Sequence, residues 1–296
     1  MQLSLPLPEE VKKCLSKVVK NLLSIVDLSY RSNILRSAVS TYVVNPGKLV
    51  RPTLTILTSY LLGGDLEAAV YAATAVECVH IAALLQDDVF DKHKIRRGVA
   101  TPAAVHGEFF SILASNIFIA KAVEFCTYTR IPEILLEIAH AAVRLTDGES
   151  KELELRREGR RVTLREYFDI ILGKTASLIE ASLAVGAYTA RVDKDKMRKI
   201  RLIGRLLGLA YQLRDDLIDY VMADPRNPPS LPETINIVYV LENEHGRECA
   251  IKRALTMFRN TIRLVKNLIW QVFDKSGFIF ASLIEKSLEE PIMRLF

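Results

Sequence analysis

Two Asp-Asp-x-x-Asp clusters, Asp87-Asp88-x-x-Asp91 and Asp215-Asp216-x-x-Asp219, are the residues of this sequence best suited to do chemistry. On a helix, positions i and i+4 share a face and i+1 lies about 100° away. Each cluster therefore projects three carboxylates over one side of a helix end. Each follows an apolar run, residues 68–86 and 202–213, and the first has no cation in the preceding turns. Like charges so placed repel unless cations or solvent relieve them. A solvated helix end would satisfy one such cluster. Two, with the basic residues below, make a hard, oxygen-only donor set of the kind that suits Mg²⁺ together with waters and substrate phosphates. An EF-hand is excluded, because the spacing is wrong and no following Gly and Glu complete the loop.

A diphosphate needs cations as well as metal ions. Gly47-Lys48-Leu49-Val50-Arg51-Pro52 reads as a turn before a helix, with a glycine that lets backbone approach a phosphate. Arg96-Arg97-Gly98 follows the first acidic cluster within one short loop. Lys174-Thr175 interrupts an otherwise apolar stretch, so Lys174 needs a partner if it is buried. His80 lies on the apolar helix two turns before Asp87. It reads either as a satisfied core histidine or as a diphosphate contact.

The elements that must position these residues are helices. Apolar residues recur at helical spacing almost throughout, and period-two alternation is scarce. Val11, Leu15, Val18, Val19, Leu22 and Leu23 predict one stripe. Gly63-Gly64-Asp65 predicts a helix stop followed by an N-cap, and Thr163-Leu164-Arg165-Glu166 predicts a capping box. No proline occurs over residues 133–224, which allows long uninterrupted helices there. Residues 224–232 hold four prolines in nine positions and read as a connector within one domain spanning 1–296.

Half of the 296 residues are hydrophobic, enough for a large core without disulfides. Cys14, Cys78, Cys126 and Cys249 form no CxxC pair, which fits a reducing compartment and argues against a zinc site. The net charge of +5 suits an anionic substrate or a membrane surface and gives no case for nucleic acid. Residues 1–8 lack the pattern of a signal peptide. The longest uncharged run, about 52–64, is too short for a transmembrane helix. A cytoplasmic protein is expected.

Taken in order, GKLVRP (47–52), ECVHIAALLQDDVFD (77–91), IRRG (95–98), KTASLIEAS (174–182) and GLAYQLRDDLIDY (208–220) resemble the trans-polyprenyl diphosphate synthases, the farnesyl and geranylgeranyl diphosphate synthase family. The resemblance runs from about residue 47 to 220. It implies an all-α bundle of long helices around a deep central cavity (the isoprenoid synthase fold), usually as a homodimer. It implies that Asp87, Asp88, Asp91, Asp215, Asp216 and Asp219 hold Mg²⁺ on an allylic diphosphate, which Arg96 and Lys174 grip. Gly47, Lys48, Arg51, His80 and Arg97 would bind isopentenyl diphosphate. Thr175 and Gln212 would flank the developing carbocation. Ala82 and Ala83, small where bulky residues cap the growing chain, imply a product longer than farnesyl. Transient membrane contact for release of so apolar a product is also expected.

The chain departs from the family pattern at Gln86, where His is common, and at Ser115-Asn116, where Gly-Asp is usual. Where the family usually has a Gly-Lys and a further Asp before its Leu-Pro, residues 220–232 are short and proline-rich and lack that lysine. Two rival readings stand beside the synthase. One is a non-catalytic or regulatory subunit, motivated by 220–232 and separable by whether the chain alone turns over substrate. The other is a terpene cyclase, which would not need the Lys48, Arg51 and Arg97 set.

Overall fold

The computed structural model describes residues 7–223 and 235–296. The connector read at 224–232 lies outside the described residues. In chain order the elements are α1 (Glu9–Val26), α2 (Asn33–Val44), α3 (Val50–Leu61), α4 (Leu66–Phe90), β1 (Ile95–Arg96), β2 (Val99–Ala100), α5 (Pro102–His106), α6 (Glu108–Tyr128) and α7 (Pro132–Glu158). There follow α8 (Leu164–Ile171), a π-helical turn (Leu172–Ala176), α9 (Ser177–Thr189), α10 (Lys194–Met222), α11 (Ile237–His245), α12 (Arg247–Phe273), α13 (Gly277–Ile284), a second π turn (Glu285–Glu289) and α14 (Glu290–Met293). The all-α expectation holds, with one short hairpin.

Local chemistry sets the helix starts. Asp65 caps α4, its carboxylate accepting from Glu67 and Ala68 N–H, two residues after Gly63 at φ +69°. Thr163 and Glu166 form both halves of the predicted capping box at α8. Thr101 caps α5, with Pro102 in the first turn. The proline-free stretch does yield long helices, 27 residues in α7 and 29 in α10.

Two compact units are formed. The first comprises residues 7–138 with Ser182–Val192. Its centre is α4, buried on nearly every side, against which α6, α3 and α1 pack. Burying each Val, Leu or Ile there contributes about 1.5–3 kcal/mol. On α1 the buried stripe is Val11, Cys14, Val18, Leu22 and Ile25. Leu23, expected in that stripe, is instead exposed, because twelve steps of 100° place it about 120° from Val11, off the buried face.

The second unit comprises Ala139–Ala181 with the described part of Asp193–Phe296. Here α10 packs on α12, α11 and the first π turn. Two glycines let backbones touch. A Cβ on Gly148 of α7 would stand 2.4 Å from Lys174 N, and one on Gly208 of α10 would stand 2.4 Å from Ala176 Cα. The π turn that carries Lys174 is thus held by direct backbone contact on both sides.

The expectation that no segment is long enough to span a bilayer is corrected. Leu66–Phe90, Glu108–Tyr128 and Leu164–Thr189 are each long and apolar enough to do so, because a span tolerates a few charged residues that a search for uncharged runs does not. Internal packing accounts for the first and third, whose apolar windows are 83% and 78% buried. That of Glu108–Tyr128 is only 39% buried.

Candidate active site

In the first unit, the acidic end of α4 meets the β1–β2 hairpin. Arg97 and Gly98 both have positive φ, +54° and +78°, between Arg96 and Val99, which pair. This is the two-residue turn whose twist matches a hairpin. It turns Arg96 back onto Asp88, Nε to Oδ1 at 2.6 Å, and Arg96 Nη2 lies 2.9 Å from His93 Nδ1. Asp88 is fully buried and its other oxygen accepts from the Tyr42 hydroxyl of α2. Burial and this bond push the Tyr42 phenol far above its ordinary range. Asp87 and Asp91 remain partly exposed. The three carboxylates are therefore unlike. Asp88 ties helix, hairpin and α2 together, while its neighbours reach the surface.

The second cluster repeats this arrangement within its own unit. Asp216, 3% exposed, accepts from the Tyr167 hydroxyl (2.7 Å), Gln212 Nε2 (2.8 Å) and Ile237 N–H (2.8 Å). Burial pushes its carboxyl up to about 7 against the opposing pull of those donors. Asp215 is half-exposed and paired with Arg214, whose Nη1 is anchored on Ser287 O at 2.7 Å. Asp219 is exposed.

Thr175 and Gln212, expected together, do meet. Thr175 Oγ1 donates to Gln212 Oε1 at 2.9 Å, which extends the Asp216 network to the π turn. Such one-turn π segments widen a helix and recur at functional sites. The partner that Lys174 requires is a pair of α7 glutamates, Glu149 at 2.6 Å and Glu152 at 2.7 Å.

The other basic residues close round a different place. Gly47, Lys48, Arg51, His80 and Arg97 line one cavity of about 610 Å³ in the first unit. Gly47, at φ +70°, is required twice over: its backbone is left-handed, and a Cβ would fall 2.6 Å from Arg97 Cζ. Arg97 Nη1 donates to Asn45 O at 2.9 Å. Arg51 Nη1 lies 3.3 Å from His80 Nε2. A guanidinium can only donate, so that ring nitrogen accepts and His80 is neutral. Burial, then Arg51, Arg97 and Arg96, hold His80 well below its usual range in agreement with this.

Ala82 is 1% exposed on α4 and Ala83 is half-buried. The two departures read at Gln86 and Ser115 are partners, Gln86 Nε2 donating to Ser115 Oγ at 3.2 Å. Sequence reasoning missed Tyr42, His93, Tyr167 and the glutamates on Lys174. It also passed over Glu77, which lines the basic cavity. Its signal was visible: the one acid within the apolar run, three residues before His80 and hence on its face.

Among the described residues, no three His, Cys, Asp or Glu side chains converge as a complete metal site. Two accessible carboxylates per cluster still fit Mg²⁺, which keeps several waters and completes its shell with phosphate oxygens.

Comparison with known proteins agrees with the geometry. The polyprenyl synthetase family model matches residues 32–227. A short chain isoprenyl diphosphate synthase of Methanocaldococcus jannaschii is 32% identical over 71% of this chain. That match spans 64% of the relative, less than two thirds of its length. A geranylfarnesyl diphosphate synthase of Methanosarcina mazei is 27% identical over 75% of this chain and 74% of its own. Among solved structures, a geranylgeranyl pyrophosphate synthetase of Geoglobus acetivorans superposes with a TM-score of 0.83. It covers 95% of this chain and 98% of its own at 24% identity, which shows a shared fold.

Proposed function

The chain belongs to the polyprenyl synthetase family, and from that premise we propose a Mg²⁺-dependent prenyltransferase. It condenses isopentenyl diphosphate with an allylic diphosphate to give a trans-polyprenyl diphosphate longer than farnesyl. One observation carries this reading: residues scattered from 47 to 97 close round a single cavity with three cations and a neutral histidine. That is the equipment for a diphosphate, and a helical protein with no such substrate has no use for it.

Asp87 and Asp91, and in the other unit Asp215 and Asp219, would hold the metal ions. Asp88 and Asp216 hold those carboxylates in place. Bound Mg²⁺ supplies neutralisation of the diphosphate charge, which makes it a leaving group. Arg96 and Lys174 are the cations the family resemblance assigns to the allylic diphosphate, and within its own unit Lys174 is kept in one orientation beforehand by Glu149 and Glu152. The allylic C–O bond breaks, the diphosphate departs with the electron pair, and the carbocation forms. Thr175 and Gln212 offer oxygen dipoles toward that developing charge. Lys48, Arg51, His80 and Arg97 orient isopentenyl diphosphate so that its double bond attacks. A proton is then lost from the new chain to the departed diphosphate.

Two further parts of the reading concern partners and place. A second copy of the chain covers the exposed stripe Phe109, Leu113, Ile119 and Val123 on α6, residues spaced along one helical face. The four free cysteines suit a reducing cytoplasm.

The test is elongation of allylic primers of several lengths with labelled isopentenyl diphosphate by the purified chain. Mg²⁺-dependent products that vanish in Asp87→Ala and Asp215→Ala are expected. A folded chain with no turnover on any primer would sink the proposal in favour of a partner-dependent or non-catalytic subunit.

A further inference from the structure

Glu77 stands in the wall of the basic cavity, 1% exposed, and its Oε2 makes no hydrogen bond. A buried, unsatisfied carboxyl oxygen costs about 1–3 kcal/mol or more, so its presence at a ligand cavity calls for a cause. The charged groups facing it are Arg51 from α3 and Arg97 from the hairpin. Lys48 and neutral His80 share the cavity. The cavity thus brings together three cations and one acid. An arriving diphosphate replaces that acid as counter-ion and places two or three negative charges beside it.

We propose that Glu77 is a proton-coupled counter-charge, ionised against Arg51 and Arg97 while the cavity is empty and protonated when a diphosphate fills it. This rests on the reading that the cavity takes isopentenyl diphosphate. Protonation removes the repulsion between the carboxylate and the phosphate oxygens. It also converts the group to an O–H donor, so that the orphaned oxygen gains a partner in the substrate. The arginines are released to the diphosphate without being left uncompensated in its absence. The poise required is present, since burial pushes the carboxyl up to about 7 despite Arg51 and Arg97.

The sign follows from linkage. Substrate raises the affinity of Glu77 for a proton, so binding takes up a proton above the empty-site value. Affinity then falls as pH rises. The loss is about ten- to fiftyfold between pH 7 and pH 9, with a ceiling of tenfold per pH unit.

The experiment is titration calorimetry of the full chain with isopentenyl diphosphate at pH 8, in buffers of different ionisation enthalpy. Wild type and Glu77→Gln are compared. Proton loss from the diphosphate itself, and any uptake by His80, are common to both proteins and cancel in the difference. Wild type should take up about 0.5–0.9 proton more than the variant, whose affinity should change less with pH. Equal proton counts in the two proteins would overturn the proposal and leave the cavity's assignment standing. Should the variant not fold, infrared difference spectra of wild type decide, with ¹³C-labelled glutamate. A protonated-carboxyl band that appears with substrate and shifts on labelling supports the proposal; its absence refutes it. Wild type that binds no isopentenyl diphosphate would overturn the cavity's assignment, and the proposal with it.

Discussion

Removing Asp216 and removing Asp215 should have opposite signatures. The two are adjacent in sequence, but Asp216 accepts three hydrogen bonds of 2.7–2.8 Å from Tyr167, Gln212 and Ile237 while 3% exposed. Asp216→Ala strands all three donors in the interior. Each hydrogen bond to a charged group contributes about 1.5–3 kcal/mol, and stranded buried donors cost about 1–3 kcal/mol each. The terms are not additive, so a loss of about 3–5 kcal/mol is expected. For a chain of this size that is roughly 6–20 °C in Tm. Asp215 is half-exposed, and its partner Arg214 keeps both a bond to Ser287 and a stacking contact with Tyr211. Asp215→Ala should therefore move stability by about 1 kcal/mol at most, while raising the Mg²⁺ concentration needed for turnover. Urea unfolding and a Mg²⁺ titration of elongation measure the two effects. Equal stability losses, or a Mg²⁺ requirement that changes in neither variant, would refute the division of each cluster into an inward anchor and outward ligands.

Other outcomes follow from the same geometry. Gly148→Ala sets a methyl 2.4 Å from Lys174 N, where only backbone can yield. Overpacking should cost about 1–3 kcal/mol, and a shift of order 1 Å in Lys174 should lower kcat/KM by roughly a hundredfold; wild-type kinetics in this variant would contradict the account of the π turn. Ala82→Phe should shorten the product, read by chromatography of the hydrolysed alcohols; an unchanged product distribution would remove α4 as the determinant of length. Phe109→Glu with Val123→Glu should convert a dimer to a monomer in light scattering without loss of helicity by circular dichroism. An assembly that survives both charges is held elsewhere.

How much was legible depended on how local the signal was. Caps at Asp65 and Thr163 involve residues within one turn, and both could be read directly. The pairing of Thr175 with Gln212 and the gathering of Gly47, Lys48, Arg51, His80 and Arg97 came through the resemblance, since nothing in periodicity joins residues so far apart. What could not be read was the direction each acid faces. Asp87, Asp88 and Asp91 differ because Tyr42, 46 residues before Asp88, and Arg96 select the middle one. That choice is made by tertiary contact, which spacing alone does not encode. The β hairpin escaped for another reason: strands of two residues show no alternation. Its one signal was Arg97-Gly98, a pair whose second residue favours positive φ. Leu23 was misplaced because the i+4 step from Val19, already at the edge of the stripe, carries it about 120° from Val11 and off the buried face.

The π turn at Leu172–Ala176 has a consequence for how this chain tolerates change in length. A π turn holds one residue more than an α turn closed over the same rise. The segments on either side of it are consequently out of phase by about 100° relative to one uninterrupted α-helix. Losing a single residue between 172 and 176 would allow an ordinary helix to form, stable in itself and without a gap in its hydrogen bonds. Yet it would rotate Lys174 and Thr175 away from Glu149, Glu152 and Gln212. The insertion acts as a phase shifter. Local helix stability favours its removal, and only the alignment of side chains with α7 and α10 selects for keeping it.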